Sequence, residues 1–94
     1  MIFDWDQGKN QLNKTKHHID FATAARVFSD ENRLELYDDI HSTNEDRYIT
    51  IGSVNGIITV LVVVYTERFD MIRIISARKA NDKERKLYYA RKED

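Results

Sequence analysis

Apolar positions crowd into the second half of the chain, and their spacing there predicts strands. "YITIGSVNG", from Tyr48 to Gly56, alternates apolar and polar positions, and Asn55-Gly56 is a two-residue hairpin signal. "IITVLVVVYTE" follows as an unbroken, largely β-branched run, the pattern of a central strand covered on both faces. A short turn at Phe69-Asp70 then leads into "MIRIISA". A two-residue turn there sets Thr66 opposite Arg73 and Glu67 opposite Ile72. In that register Arg68 and Arg73 share a face near the end of the sheet, and Glu67 lies on the other.

The first half carries shorter signals. "MIFDW" predicts a strand with Phe3 and Trp5 on one side and Ile2 and Asp4 on the other. Asp6 is placed to cap a helix through about Lys16, with Leu12 as its main apolar anchor. Asp20 caps a second helix, "FATAARVFS", in which Phe21, Ala24, Ala25 and Phe28 recur at helical spacing. Leu34, Leu36 and Tyr37 suggest a short strand, followed by a polar loop from Asp38 to Asp46. At the other end Asn81 and Glu84 form a capping-box start to "DKERKLYYARK". The order is strand, helix, helix, strand, three-strand meander, helix. It predicts an α+β fold: a small antiparallel sheet with two N-terminal helices and a C-terminal helix against it.

Length narrows this to one domain over residues 1–94, in which each core side chain matters. Trp5, Phe3, Phe21 and Phe28 are expected inside for that reason. No apolar run is long enough to span a bilayer, and Asp4 and Asp6 interrupt any leader-like start. Cysteine is absent, which removes disulfides and thiolate metal sites and suits a cytoplasmic setting. The net charge of −1 conceals an uneven distribution: between Arg68 and Lys92 stand nine basic residues and three acidic ones. Such a half suits phosphate or an acidic partner, and equally a solvated helix face with strand-edge charges.

Arg68, Arg73 and Arg78 are the residues with the clearest chemical potential. A guanidinium fork matches phosphate oxygens in pairs, so arginines ending strands suit a phosphate site. They suit surface ion pairs with Glu67, Glu45 or Asp46 as well. Three residues have acid–base character: Glu67, His17 and His41. His17 and His18 end the first helix, where positive charge favours the helix dipole, and His18 is also a candidate to stop the helix in a left-handed conformation. His41, beside Asp38 and Asp39, reads as a loop hydrogen-bonder or a general base. Tyr88 and Tyr89 sit on a basic helix, either stacking on bases or split between core and water. No glycine-rich phosphate loop, Ser-His-Asp order or metal-ligand spacing occurs, so neither a metal nor another cofactor is expected.

Several strings then coincide. "FDWD" is followed by Lys9, Asn13 and Lys16-His17, then by Phe21, Ala24, Val27 and Phe28 in an F-x-x-A-x-x-V-F pattern. "IHS" (Ile40 to Ser42), Glu45, Arg47, Ile51-Gly52, "VVYTER" (Val63 to Arg68) and "RIISAR" (Arg73 to Arg78) complete the series. In this order and spacing they resemble the BrnT family of type II toxins, over nearly the whole chain. The resemblance implies a RelE-like fold and a metal-independent endoribonuclease that cleaves RNA and inhibits translation. It implies a BrnA-type ribbon-helix-helix antitoxin as partner, in a heterotetramer that meets operator DNA only through the antitoxin. By the family pattern Arg68 and Arg78 are the functional arginines. They are expected to hold the scissile phosphate, with Arg73 or Lys79 assisting, and Arg73, Lys79 and Lys16 are the expected RNA contacts. Two positions depart from the family pattern: His18 stands where glycine is common, and Ile57 where a basic residue is common. The alternative is a non-catalytic module that binds protein or RNA through the basic C-terminal half.

Overall fold

In chain order the elements are β1 (Ile2–Trp5), α1 (Gln7–His17), α2 (Phe21–Ala25) with a 3-10 turn (Arg26–Ser29), β2 (Leu34–Tyr37), β3 (Tyr48–Ser53), β4 (Val60–Arg68), β5 (Met71–Lys79) and α3 (Asp82–Glu93). The computed structural model describes residues 1–54 and 59–93, so the Asn55-Gly56 turn and Ile57 lie outside the described residues. The five strands form one sheet in the order β1-β5-β4-β3-β2. β2 to β5 pair antiparallel, as the meander predicts. β1 differs: it runs parallel to β5, so the sheet is mixed rather than wholly antiparallel. The reason is connectivity: no hairpin joins β1 to its neighbour β5, and after α1 and α2 the chain enters β2 antiparallel to β1, so the three reversals through β3 and β4 leave β5 running the same way as β1.

β4 lies in the middle, and its residues alternate between two cores. Leu61, Val63 and Tyr65 pack with Phe21, Ala24, Val27, Phe28, Ile72, Ile74 and Ala77 beneath the N-terminal helices, where Phe3 and Trp5 also point. Val60 and Val62 turn to the opposite face and meet Ile51, Ala80 and Tyr88 under α3. A continuous apolar run is therefore required, since both faces of this strand are covered. The turn at Phe69-Asp70 gives the expected pairing, Thr66 with Arg73 and Glu67 with Ile72, and a bulge between Val64 and Tyr65 shifts the register further along. Phe69 takes a positive φ of 57° to close this turn and stands fully in solvent.

Capping follows the sequence closely. Asp6 accepts from the Lys9 amide and Asp20 from the Thr23 amide. Asn81 and Glu84 exchange reciprocal bonds of 2.9 Å at the start of α3. His18 ends α1 in the left-handed region (φ 60°, ψ 28°), donating its amide to the Lys14 carbonyl. Histidine here does what glycine does at less steric cost. The anchor of α1 is not Leu12, which is 72% exposed; it is Asn13, a polar residue buried against β5. Tyr88 and Tyr89 split, the first buried and the second turned to water.

α3 is tied to the sheet through Asp30. The carboxylate of Asp30 accepts from the Tyr88 hydroxyl (2.6 Å), the Ser53 amide (2.9 Å) and the Asn32 amide (2.9 Å). The close approach needs Gly52, where a Cβ would meet Val27, Arg33 and Asp30 at 2.9–3.1 Å. Burial pushes the Asp30 carboxyl up, but the bonds from Tyr88, Ser53 and Asn32 outweigh it and hold the group below its ordinary value of 3.8. A lowered folded-state value means that ionised Asp30 contributes stability above about pH 4, lost as pH falls through the folded value. Asp30→Asn is expected to cost about 1–3 kcal/mol at neutral pH, since an amide opposes some of these donors. Thermal melts should also show a shallower acid decline for Asp30→Asn than for the parent below about pH 4. Equal acid slopes would remove Asp30 from this role.

Candidate functional site

The register decides which basic residues can work together. Arg68 pairs with Met71, Arg73 with Thr66 and Arg78 with Val62, so all three share the α3 face with Val60 and Val62. Asp4, opposite Arg73 on β1, is on this face too. Arg68 and Arg73 both lie toward the hairpin end. Arg78 stands at the far end of β5, about 20 Å along the strand at a rise of roughly 3.3 Å per residue. Arg68 and Arg78 therefore end adjacent strands at opposite ends of the hairpin, and the structure does not bring them to one point. Antiparallel pairing dictates this, because the last residue of one strand lies beside the first of the next.

Each arginine already holds a carboxylate. Arg68 donates from Nε to Glu45 Oε2 (2.6 Å) and from Nη2 to Glu45 Oε1 (3.0 Å). Arg78 makes a similar fork to Glu84, with both bonds 2.8 Å. Arg73 bonds to Asp4. The hydrogen bond from Arg68 draws the Glu45 carboxyl below its ordinary value, and Arg47 and Arg73 add to the positive field there. Glu84 is held low in the same way by Arg78. The two forks differ in what else their acceptors do. Glu84 also accepts the Asn81 amide and caps α3, so the Arg78 fork is part of the helix attachment. Glu45 has no such second duty: its carboxylate hydrogen-bonds only to Arg68 among the described residues, from a polar loop open to solvent.

The acid–base candidates lie elsewhere. Glu67 is exposed on the opposite face, where its charge adds to burial and to Asp46 in raising the Tyr48 hydroxyl. His41 is tied by Nδ1 to Asp38 at 2.9 Å in the loop before β3. His17 and Lys16, at the end of α1, line a cleft with Lys9, Ile75 and Ser76 on the outer edge of β5. Lys79 pairs with Leu61, which puts it on the face opposite Arg78. No hydrogen bond or ion pair among the described residues joins Glu67, His17 or His41 to the three arginines. Among the described residues no group of three or more His, Asp or Glu side chains is placed to hold a metal ion.

Two features had little signal in the sequence. Asn13 and Asp30 are polar residues whose partners come from distant parts of the chain, Ala77 and Tyr88, so spacing alone does not reveal them. A third cluster joins Arg33 to Thr50 (3.0 Å), with Glu35 bonded to the buried Tyr65 hydroxyl. Burial and then the Glu35 bond push the Tyr65 hydroxyl far up, so it stays protonated and serves as a structural donor.

A family model described as "Ribonuclease toxin, BrnT, of type II toxin-antitoxin system" matches residues 5–84, which includes every element from α1 to β5. No curated protein matches the chain individually. No helix among the described residues is long and apolar enough to cross a membrane.

Proposed function

This chain belongs to the BrnT family of ribonuclease toxins of type II toxin–antitoxin systems, and from that premise we propose that Arg68, with Arg73 assisting, holds the scissile phosphate of RNA. The observation that carries this is the placement of both arginines on one face at the hairpin end of β4 and β5, with Arg68 bound to a carboxylate that a phosphate can replace. Cleavage by the ribose 2′-hydroxyl needs the phosphorane charge stabilised, which an arginine does without any shift in its own protonation. Arg78 stands at the far end of the hairpin, Lys79 on its other face and Lys16 on α1 beside Ile75 and Ser76, and these three are assigned to the RNA strand beyond that phosphate. Glu67, His17 and His41 stay the acid–base candidates, but positioning and charge stabilisation carry the main effect. The reaction proposed is metal-independent endonucleolytic cleavage that stops translation.

A type II toxin has a cognate antitoxin. We assign it to the BrnA type: a ribbon-helix-helix protein that forms a heterotetramer with the toxin and alone touches operator DNA. The chain acts as a single domain over residues 1–94, in the cytoplasm. The basic C-terminal half is the surface assigned to an acidic or amphipathic antitoxin segment. The purified chain is expected to cut RNA in excess chelator and leave 5′-hydroxyl ends, the signature of 2′-hydroxyl attack. Added antitoxin should stop the cutting. Cleavage that disappears with chelator and returns with magnesium would overturn the mechanism, while binding without cleavage would favour the non-catalytic alternative.

A further inference from the structure

We propose that Glu45 is a built-in competitor for the phosphate site: its carboxylate occupies the fork of Arg68 that RNA must take, and RNA binding begins with its displacement. This rests on the assignment of Arg68 to phosphate. The Glu45 oxygens sit at 2.6 and 3.0 Å from Nε and Nη2, the paired geometry by which a guanidinium also receives two phosphate oxygens. While that pair is closed, the strongest donor set at the hairpin end is already used.

The loop that carries Glu45 is fastened on either side of it by bonds that do not involve its carboxylate. Ser42 Oγ donates to the Asp38 carbonyl (2.6 Å) and accepts from the Arg47 amide (2.9 Å). Asp46 accepts from the Thr66 hydroxyl through its carbonyl and from the Tyr37 hydroxyl through its carboxylate. The backbone on both sides of Glu45 is therefore held, while its carboxylate is held by Arg68 alone among the described residues. Swinging one side chain into solvent releases Arg68 and leaves the loop intact. The Arg78 fork has no comparable freedom, because Glu84 caps α3 and its departure would strip the Asn81 amide of its partner. Of the two forks on this face, only that of Arg68 opens without cost to the fold.

The consequence is a threshold on substrate. A phosphodiester carries the same single charge as the carboxylate, but an RNA strand brings several phosphates into the field of Arg47 and Arg73 at once, so RNA displaces Glu45 where a lone monoanion does not. Neutralising Glu45 without changing its shape should therefore tighten RNA binding.

The test measures the affinity of the folded chain for a fully 2′-O-methyl RNA oligonucleotide, which it cannot cut, by fluorescence anisotropy at fixed salt. Glu45→Gln is expected to bind about two- to fivefold more tightly than the parent, the range an exposed ion pair spans. Asp39→Asn removes a like charge from the same loop and should change affinity by less than about twofold, the small effect of one screened surface charge. In an Arg68→Ala background, Glu45→Gln should give no gain beyond that of Asp39→Asn. If Glu45→Gln and Asp39→Asn act alike, or if the gain survives without Arg68, the competition does not exist. If Arg68→Ala leaves affinity unchanged, the phosphate assignment itself fails, and that outcome is distinct from the other two.

Discussion

Replacing Arg68 with alanine is expected to lower the rate of RNA cleavage by about 10²–10³ and to restore growth when the chain is induced alone. The size follows from what the side chain supplies. A fixed cationic fork at the developing phosphorane charge acts most in the transition state, where the charge is greatest, so its loss appears mainly in the turnover rate. Stability should hardly move, because Arg68 and Glu45 both stand at the surface and screened pairs of this kind contribute little. Arg78→Ala provides the contrast. Removing it breaks a two-bond attachment between β5 and the capping residue of α3, so it is expected to lower the melting temperature, by about 1 kcal/mol in stability. Its effect on cleavage should be smaller, about tenfold or less for a phosphate contact outside the reacting centre. Measuring melting temperature and single-turnover rate for both variants separates the two roles. An Arg68→Ala protein that stays folded and cuts as fast as the parent would show that this arginine serves only its ion pair with Glu45.

The parts of the molecule legible in the sequence are those governed by neighbours along the chain. The run from Val60 to Val64 shows its own burial, because β-branched residues without polar interruption have no other use. Asp6, Asp20 and the Asn81–Glu84 box act within three residues, and all are found as read. The turn at Phe69-Asp70 sets the pairing of Arg73 with Thr66, and that in turn puts Arg68 and Arg73 on one face. What escaped is set by contacts across the fold. The parallel seat of β1 depends on where two helices return the chain. The separation of Arg68 from Arg78 follows from the length of β5, although both residues mark strand ends. Leu12 looks like an anchor because leucine usually is one, yet it faces water while a polar neighbour goes inside.

That polar neighbour, Asn13, is expected to be among the most destabilising single positions in the protein. β1 accompanies β5 only as far as the pair Trp5–Ile74, so among the described residues the outer edge of β5 beyond that point has no partner strand. Asn13 stands in for one. Its amide donates to the Ala77 carbonyl (2.9 Å), accepts from the Ala77 amide (3.1 Å) and donates a second time to the Ile19 carbonyl (2.8 Å). One side chain thus completes the edge of the sheet, fixes α1 against it and holds the turn into α2. Asn13→Ala leaves three backbone groups without partners beside the core, each costing about 1–3 kcal/mol unless water reaches it. A total of about 3–5 kcal/mol is expected, a large share of the 5–15 kcal/mol that such domains possess. In a thermal melt this corresponds to a fall on the order of 15 °C or more. Asn13→Asp keeps the shape but removes both donors and sets a charge against two carbonyls. Its carboxyl should therefore hold a proton more tightly in the folded state than in the unfolded one, so the variant should regain stability as pH falls toward 5. Asn13→Ala has no such group and should show no recovery. A melting temperature within about 2 °C of the parent for Asn13→Ala would mean that water completes the edge as well as the side chain does.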